Sequence, residues 1–462
     1  MSLRDHAGIA VIITLFIFSN AVFLAFYSDV WWDSAVYLGM GKYIYSLGSS
    51  GLWEDYRVPL LPSLLGMVWA LHLNLVYYAR FISLAFAVLV ILMTYIMGNE
   101  IFPKKVSLMA SFFVAFTYTF FFFSSNILTE IPSAFFAMLS FYFFFRKKFF
   151  LVGLFAGISV MFRLFHIFVF AGLITAFIAY FRKKKYFFKK LLSIAAGASL
   201  PILPYLALNQ YLYNDILRPF KVQKFFVATT AWNMYGNVWF YPVALLKENF
   251  LIVSLLCLPF FFRKNCKFMA LVLSPLMYII IYSLVRHKEM RFMIVVLPLL
   301  YLLASYCLAM LCDKIHSKKS ALFLFLLVIF LWLFISFSAV KTATLYQSQR
   351  NDEGLRHFQD YIGEVKGNIW ITSPLYALYS DKKIEGLLYY YSSGNLINFI
   401  DKNIGNVDAV FLNDCDIPCP PLEMDNFCEQ SHKYLYMKLS SFQEIYEKEI
   451  NNCRYRIFKR IT

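Results

Sequence analysis

The feature that most constrains this chain is a succession of apolar runs, many close to the 20 or so residues that cross a bilayer as a helix. Of the 462 residues, 60% are hydrophobic, 15% are charged and 52 are phenylalanine, whereas soluble domains are nearer half apolar and a quarter charged. The first run, residues 7–27, is too long for a signal peptide and lacks a small-residue cleavage site. The pattern predicts an all-α polytopic membrane protein.

The net charge of +16 is concentrated in short basic clusters between the apolar runs. This arrangement is typical of cytoplasmic loops and argues against a nucleic-acid partner. Placing the clusters in the cytoplasm predicts about 11 transmembrane helices in a cell membrane, with a cytoplasmic N-terminus and an extracytoplasmic C-terminus. The clusters lie at 104–105, 146–148, 182–190, 263–267 and 314–319. The predicted spans are roughly 7–27, 79–98, 106–124, 131–145, two within 150–181, 190–209, 247–262, 268–285, 292–311 and 320–340.

One apolar segment, residues 58–71, is shorter than a span and contains Pro59 and Pro62. That length suits a re-entrant or interfacial helix. A crossing at this point would move all five later basic clusters outside, so the segment is not counted as a span.

The predicted topology divides the chain into a transmembrane domain, residues 1–340, and an extracytoplasmic domain, residues 341–462. The transmembrane domain carries a first outer loop at 28–57 and a second at 210–246. In the tail, Asp, Glu, Asn and Gly return, which predicts a small α/β domain. Strands are expected at Asn368–Ile371, Asp408–Leu412 and Tyr455–Phe458, and helices at Leu355–Ile362 and Ser441–Ile450.

Four of the eight cysteines lie in this tail, which supports an exterior location. An even number in a short exterior domain predicts two disulfides among Cys415, Cys419, Cys428 and Cys453, with three possible pairings. The alternative is a zinc site, which the C-x3-C spacing and the single nearby histidine, His432, make less suitable. The cysteines in or near the spans are expected to be unpaired.

The candidate chemistry begins in the first outer loop. Asp33 follows two tryptophans of the type found at membrane interfaces. Glu54, Asp55 and Arg57 follow just before the proline-containing segment. Ordinary solvated loop charge is the competing interpretation.

Further ionisable residues fall at the turns that the topology places on the same outer face. Ionisable groups at membrane depth are costly and are usually functional or paired. The turn at 286–291 is also a dense basic cluster outside, which favours an anionic partner such as a lipid phosphate, although Glu289 pairing with a neighbour is the alternative. The candidates at these turns are Glu130, Arg163, His166, His287, Lys288 and Arg291.

Several short motifs together resemble the GT-C membrane glycosyltransferases, in particular the group of dolichyl-phosphate-mannose protein mannosyltransferases and lipid A aminoarabinose transferase. Six elements occur in the group's order over about residues 1–312. They are Asp33 with Tyr37 and Gly41, the segment Arg57–Pro62, Arg80, the acid-Pro turn Leu128–Pro132, Gly157–Arg163, and His287–Phe292 with Pro298. The chain departs from the group in having Asp33-Ser34 in place of two adjacent acids, and Val58 in place of a proline.

The resemblance implies a GT-C-like fold and transfer of a sugar from a polyprenyl-phosphate donor to an acceptor hydroxyl on a lipid, glycan or protein at the outer face. Asp33 is the expected general base, Glu54 the second acid and Asp55 its competitor. Arg57, Arg163, His287, Lys288 and Arg291 are expected to neutralise the phosphate, and Glu130 to serve as an acceptor-side or metal-side acid. Because a phosphate monoester leaves, neither a metal nor another cofactor is expected. A ligase or polymerase of lipid-linked glycans, a flippase and a non-catalytic relative are the alternatives.

Overall fold

A computed structural model describes most of the chain. The described residues are 7–27, 30–229, 235–261, 263, 265–314, 358, 361, 365, 367–388, 393–417, 427–450 and 452–461. Among these residues, fourteen α-helices lie between Ala7 and Lys314. They are α1 Ala7–Phe26, α2 Trp32–Tyr45, α3 Leu60–Ala70, α4 Leu75–Gly98, α5 Lys104–Phe116, α6 Tyr118–Ser124, α7 Glu130–Phe145, α8 Phe149–Phe162, α9 Val169–Phe181, α10 Phe187–Tyr213, α11 Arg218–Thr229, α12 Phe240–Glu248, α13 Cys266–Leu284 and α14 Leu297–Lys314.

The apolar runs that the structure describes form helices, as predicted. Five described helices are long and apolar enough to cross a bilayer, or seven if each of two bent pairs counts as one span. The fold is that of a multi-pass membrane protein, while the number 11 stays a prediction because the expected span at 320–340 lies outside the described residues. The segment after Pro59 forms α3, an apolar helix of 11 residues, which is short for a span.

Two apolar helix pairs are bent, one within the expected span 106–124 and one where the second outer loop meets the expected span 247–262. α5 and α6 meet at an angle of 62°, and α12 meets the 3-10 helix Phe250–Phe261 at 109°. The Glu248 carboxylate at the end of α12 accepts a hydrogen bond from the Thr119 amide at the start of α6. Amide groups in the first turn of a helix lack partners within it, so this contact supplies one at the break.

Helices α8 and α10 pack with their backbones almost touching. A Cβ atom added at Gly153 would lie 1.8 Å from the Ile194 carbonyl oxygen, and one added at Gly197 would lie 2.1 Å from that of Phe150. Farther along both helices, Gly157 approaches Pro201 in the same way. Since the contacting residues rise together along the two helices, α8 and α10 run parallel and their N-termini lie side by side.

The tail contains a five-stranded sheet in the order β2-β1-β3-β5-β4. Its strands are β1 Ile369–Ile371, β2 Ile384–Leu387, β3 Ala409–Asn413, β4 Phe442–Ile450 and β5 Cys453–Arg460. β1 pairs in parallel with β2 and β3, whereas β5 is antiparallel to β3 and β4. Helices α15 Tyr376–Tyr379, α16 Ser393–Asn403 and α17 Phe427–Leu439 complete the α/β domain. The three predicted strands are confirmed.

The predicted helix at Ser441–Ile450 is wrong, because this segment is the edge strand β4. Its apolar residues at 442, 445, 446 and 450 have helical spacing. The register of β4 shifts between Glu444 and Tyr446, and this bulge lets the consecutive residues Ile445 and Tyr446 both pack against the core. The other predicted helix, Leu355–Ile362, lies mostly outside the described residues.

The tail cysteines form disulfides, as predicted. Cys415 is joined to Cys453, and Cys428 is also disulfide-bonded. Cys419 lies outside the described residues. The cysteines expected to be unpaired, Cys257, Cys266, Cys307 and Cys312, are free thiols.

The chain groups into two compact units that differ from the predicted domains. One contains Met1–Ser28, Arg80–Leu217 and Gly236–Tyr346, and the other contains Asp29–Ala79, Arg218–Tyr235 and Gln347–Thr462. The first outer loop therefore belongs to the same unit as the tail. The domain boundary at 340–341 stays a prediction.

The first outer loop contains a helix of 14 residues, α2, which the sequence analysis did not predict. Its helix α2 packs closely against α3, since a Cβ atom at Gly66 would lie 2.4 Å from the Gly41 carbonyl oxygen. Another face of α2, with Val36 and Met40, joins a core made with sheet residues such as Ile369 and Phe411. Buried apolar area of this kind is the main stabilising contribution to a helix of 14 residues.

Candidate active site

Three residues of the first outer loop form a compact charged group, called here the first-loop cluster: Asp33, Glu54 and Arg57. Asp33 lies in the first turn of α2. The Arg57 guanidinium donates from Nη2 to Asp33 Oδ1 at 2.6 Å and from Nε to Glu54 Oε2. Asp33 is 20% exposed, whereas Glu54 is only 5% exposed. One arginine thus binds one accessible carboxylate and one buried carboxylate.

Aromatic rings fix the plane of the Arg57 guanidinium. It lies 4.9 Å from the centre of the Tyr37 ring and 5.3 Å from that of Tyr56. Tyr37 follows Asp33 by one helical turn on α2, so both side chains face the same way. The four-residue spacing of Asp33 and Tyr37 on a helix could have predicted that the two side chains lie together. The contact of Tyr56 with Arg57 is visible only in the structure.

The first-loop cluster has an excess of negative charge, with two carboxylates to one guanidinium. Burial raises the pKa of Glu54, and Arg57 offsets only part of that effect. Burial lowers the pKa of Arg57, but the neighbouring Asp33, Tyr56 and Glu54 raise it well above its ordinary value. Among the residues that the structure describes, none donates a hydrogen bond to the buried Oε1 of Glu54.

The adjacent acids Glu54 and Asp55 have different environments. Asp55 is 28% exposed and its Oδ2 accepts a hydrogen bond from Arg218 Nε at 2.8 Å, on a side chain that is half exposed. Glu54 instead contacts Arg57 in the interior. The geometry therefore favours Glu54 over Asp55 as the second acid of the site.

The tail holds the first-loop cluster in place. Gly51 bridges to the edge of the sheet, since its amide donates to the Lys382 carbonyl at 2.9 Å and its carbonyl accepts from the Ile384 amide at 2.8 Å. At the end of α2, the buried Lys42 ammonium donates to the carbonyls of Leu378 and Ser380, both at 3.2 Å. The polypeptide between Asp33 and Glu54 is thus anchored to the α/β domain.

Four residues from three turns form a second charged group, called here the turn cluster: Glu130, Arg163, Glu289 and Arg291. Glu130 begins α7, Arg163 follows α8, and Arg291 lies in the 3-10 helix Met290–Val295. Glu130 is only 1% exposed, and its Oε1 lies 2.9 Å from Arg163 Nη1 and 3.5 Å from Arg291 Nε. Arg291 Nε also lies 2.6 Å from Glu289 Oε2.

Phe292 and His287 complete the turn cluster. The Arg163 guanidinium lies 4.7 Å from the centre of the Phe292 ring, and the His287 ring stacks on the same residue at 5.3 Å. His287 Nε2 lies 2.6 Å from Glu289 Oε1. Burial raises the pKa of Glu289, but Arg291 and His287 outweigh it and hold that pKa below its ordinary value. The pairing of Glu289 with neighbours, which was the alternative to an anionic partner at this turn, is observed.

The structure does not bring every candidate into these clusters. Lys288 donates to the carbonyls of Tyr282 and Ser283 at the end of α13, at 2.9 and 2.8 Å. The partly negative C-terminal end of the helix dipole stabilises a cation there. His166 is buried and its Nδ1 shares a hydrogen bond with Ser133 Oγ at 2.6 Å. Their roles in binding the donor stay predictions.

The described residues contain no group of three or more His, Cys, Asp or Glu side chains suited to a metal ion. In both the first-loop cluster and the turn cluster, the carboxylates are already paired with arginine. That the protein needs no metal stays a prediction.

The part of the chain that contains both clusters matches a known protein family. The model of the Alg9-like mannosyltransferase family matches residues 10–377. The chain belongs to the Alg9-like mannosyltransferase family. This family is part of the GT-C superfamily, which confirms the resemblance read from the motifs. No curated protein matches this family member.

Solved structures show that this Alg9-like family member has the GT-C fold. ArnT from Cupriavidus metallidurans bound to undecaprenyl phosphate aligns with a TM-score of 0.70 and 9% identity, over 99% of this chain and 98% of that one. The oligosaccharyltransferase AglB from Archaeoglobus fulgidus, in complex with an inhibitory peptide and a dolichol-phosphate, aligns with a TM-score of 0.60 and 11% identity, over 98% of this chain and 74% of that one. At such identities the likeness establishes the fold.

Proposed function

We propose that this Alg9-like family member transfers a sugar from a polyprenyl-phosphate donor to an acceptor hydroxyl on the extracytoplasmic side of the membrane. Membership of a mannosyltransferase family supports sugar transfer. Two structurally similar proteins were solved with undecaprenyl phosphate and with a dolichol-phosphate, which supports a lipid-phosphate donor. The basic clusters of the sequence support the outer location.

The observation that carries the proposal is the arrangement of Asp33 and Glu54 around Arg57. Asp33 is the more accessible carboxylate and serves as the general base. The acceptor oxygen bonds to the anomeric carbon of the donor, the bond from that carbon to the phosphate oxygen breaks, and the hydroxyl proton passes to Asp33. The phosphate leaves with the bonding electron pair as polyprenyl phosphate.

Glu54 and Arg57 position the base in this proposal. Glu54 is buried and contacts the Nε side of the guanidinium, which leaves Nη2 directed at Asp33. A planar guanidinium held between two carboxylates and two tyrosine rings has one orientation. Asp33 therefore keeps a fixed direction for the incoming hydroxyl, and fixed geometry lowers the barrier of a bimolecular step.

Arg163 and Arg291 of the turn cluster are the proposed ligands of the donor phosphate. Guanidinium groups bind two phosphate oxygens at once and stabilise the negative charge that grows on the leaving group. Glu130 is shared by both arginines and orients them in the buried site. The two arginines neutralise the negative charge of the departing phosphate monoester, so the proposal includes no metal.

A donor panel tests the proposed function. Purified protein in vesicles would be incubated with polyprenyl-phosphate sugars, polyprenyl-pyrophosphate sugars and nucleotide sugars, each with a mixture of acceptors. The proposal predicts release of polyprenyl phosphate from the first class only. Turnover of the pyrophosphate class alone would identify a ligase or polymerase, and movement of intact donor across the bilayer without release would identify a flippase.

A further inference from the structure

A cavity of about 630 Å³ lies where the N-termini of α8 and α10 meet. Its lining contains no acidic residue, and it includes the first turn of α8 and Tyr186. Four lysines line it: Lys147, Lys148, Lys189 and Lys190. Like charges around one cavity repel one another, so this arrangement is unfavourable unless an anion balances it.

Two basic residues outside the cavity lining, Arg146 and Lys105, are balanced by acids within the chain. Arg146 Nη2 binds Glu100 Oε1 at 2.5 Å, and Lys105 Nζ binds Asp313 Oδ1 at 2.8 Å. Lys147, Lys148 and Lys189 form no ion pair with any other residue that the structure describes. These lysines are therefore available to an anion from outside the described chain.

The backbone adds positive potential to the same cavity. The residues that cap α8 and α10, Lys148 and Tyr186, provide no side-chain hydrogen bond to their helices, and neither first turn contains an acid. First-turn amides have no acceptor within their helix, and the dipole makes that end partly positive. Because α8 and α10 run parallel, both positive ends face one place. They reinforce the field of the lysines, which define the site.

Apolar side chains beside the cavity indicate the form of the anion. Phe150 is 44% exposed, Phe188 is 75% exposed and Leu192 is 69% exposed. These residues offer a surface for an acyl chain next to a site for a phosphate. The charge rule places both turns on the cytoplasmic side, where anionic lipids are concentrated.

We infer that this cavity binds the phosphate group of an anionic membrane phospholipid through Lys148, Lys189 and Lys190. The shared chemistry, a phosphate beside several ammonium groups, would also suit free inorganic phosphate. The exposed apolar rim makes the lipid the source, because a free ion gains nothing from it. This site is separate from the residues proposed for sugar transfer and does not depend on that function.

Lipid retention measured by native mass spectrometry tests the inference. The purified full-length protein would be titrated with phosphatidylglycerol, with phosphatidylcholine, and with inorganic phosphate alone. We expect phosphatidylglycerol to be retained most tightly. At about a fivefold contribution from each lysine, the variant K148A/K189A/K190A should bind it on the order of a hundredfold more weakly. The variant K104A/K105A, from another basic turn, is the matched control and should keep its affinity.

Three results would overturn the inference. Equal retention of phosphatidylcholine would show that charge is not recognised. Equal loss in the control variant would show that any basic turn suffices, and displacement of the lipid by inorganic phosphate at matched concentration would make the free ion the ligand. If the triple alanine variant does not fold, K148Q/K189Q/K190Q replaces it and should show the same loss of affinity for phosphatidylglycerol.

Discussion

In the first-loop cluster one arginine serves two carboxylates, whereas in the turn cluster two arginines share Glu130 and one of them also binds Glu289. The first arrangement keeps an excess negative charge with one accessible acid, which suits a group that accepts a proton. The second is balanced, so an incoming phosphate has to compete with a carboxylate for each guanidinium. This difference supports the proposal that the first cluster provides the base and the second provides the phosphate contacts.

The largest expected effect is that of D33N. Asparagine keeps the size of the side chain but removes its basicity, and general base catalysis contributes roughly 10²–10⁴ in rate. We expect kcat to fall by about that factor, measured as acceptor-dependent sugar transfer. The matched variant D55N lies in the same loop and breaks only a half-exposed pair, worth at most about 1 kcal/mol. Near-normal turnover in D33N would end the assignment of the base.

R57K tests whether one guanidinium must join the two carboxylates. Lysine keeps the charge but has no planar fork, so it binds Asp33 or Glu54 but does not hold both in fixed directions. Loss of one charge-assisted hydrogen bond, about 1.5–3 kcal/mol, predicts a fall in kcat of roughly tenfold to a hundredfold. R146K, at an exposed ion pair, is the control. If R57K were fully active, Arg57 would supply only charge.

R291A sharpens the comparison from the other cluster. The substitution removes a proposed phosphate ligand, so the KM for the donor should rise by about tenfold or more while the KM for the acceptor stays the same. R146A removes an exposed arginine of the same kind and should change neither constant. A selective rise in the acceptor KM of R291A would move this cluster to the acceptor side.

E54Q is expected to have the smallest effect on rate and a distinct effect on pH dependence. Protonation of Glu54, like E54Q, weakens its bond to Arg57, and burial raises the pKa of Glu54, so activity should fall modestly on the acid side at a pH above the ordinary glutamate value of about 4.3. In E54Q the fall in activity on the acid side should move to lower pH. The raised pKa also means that ionising Glu54 costs stability as pH rises through its folded-state pKa. An acid limb identical in E54Q and wild type contradicts the positioning role.

The sequence predicts the parts of this protein that depend on local pattern. The span at 7–27 corresponds to Ala7–Phe26, and the tail strands follow from short apolar runs between turn residues. Helix α2 was missed because the surface that stabilises it comes from sheet residues more than 300 positions away in the chain, such as Ile369. Strand β4 was missed because a bulge gives it helical spacing.

The candidate site was predicted in its residue types but not in its pairings. Glu54 and Asp55 are adjacent in sequence, and only tertiary structure places one against Arg57 and the other against Arg218. The bond from Arg57 to Asp33 spans 24 positions. Lys288 lies in a basic motif, yet the end of α13 provides its carbonyl partners. The order of the motifs along the sequence pointed to these residues. Only the structure shows which of them are buried and which side chains they contact.

The central claim is that Asp33 acts as a base for direct attack by the acceptor, and not as a nucleophile. The anomeric configuration of the product, determined by NMR with the donor identified in the panel, tests it most directly. A single displacement inverts the anomeric carbon, so the account predicts a product opposite in configuration to the donor. A product that retains the donor's configuration would require two successive displacements or attack on the face from which the phosphate leaves, and either would contradict the account.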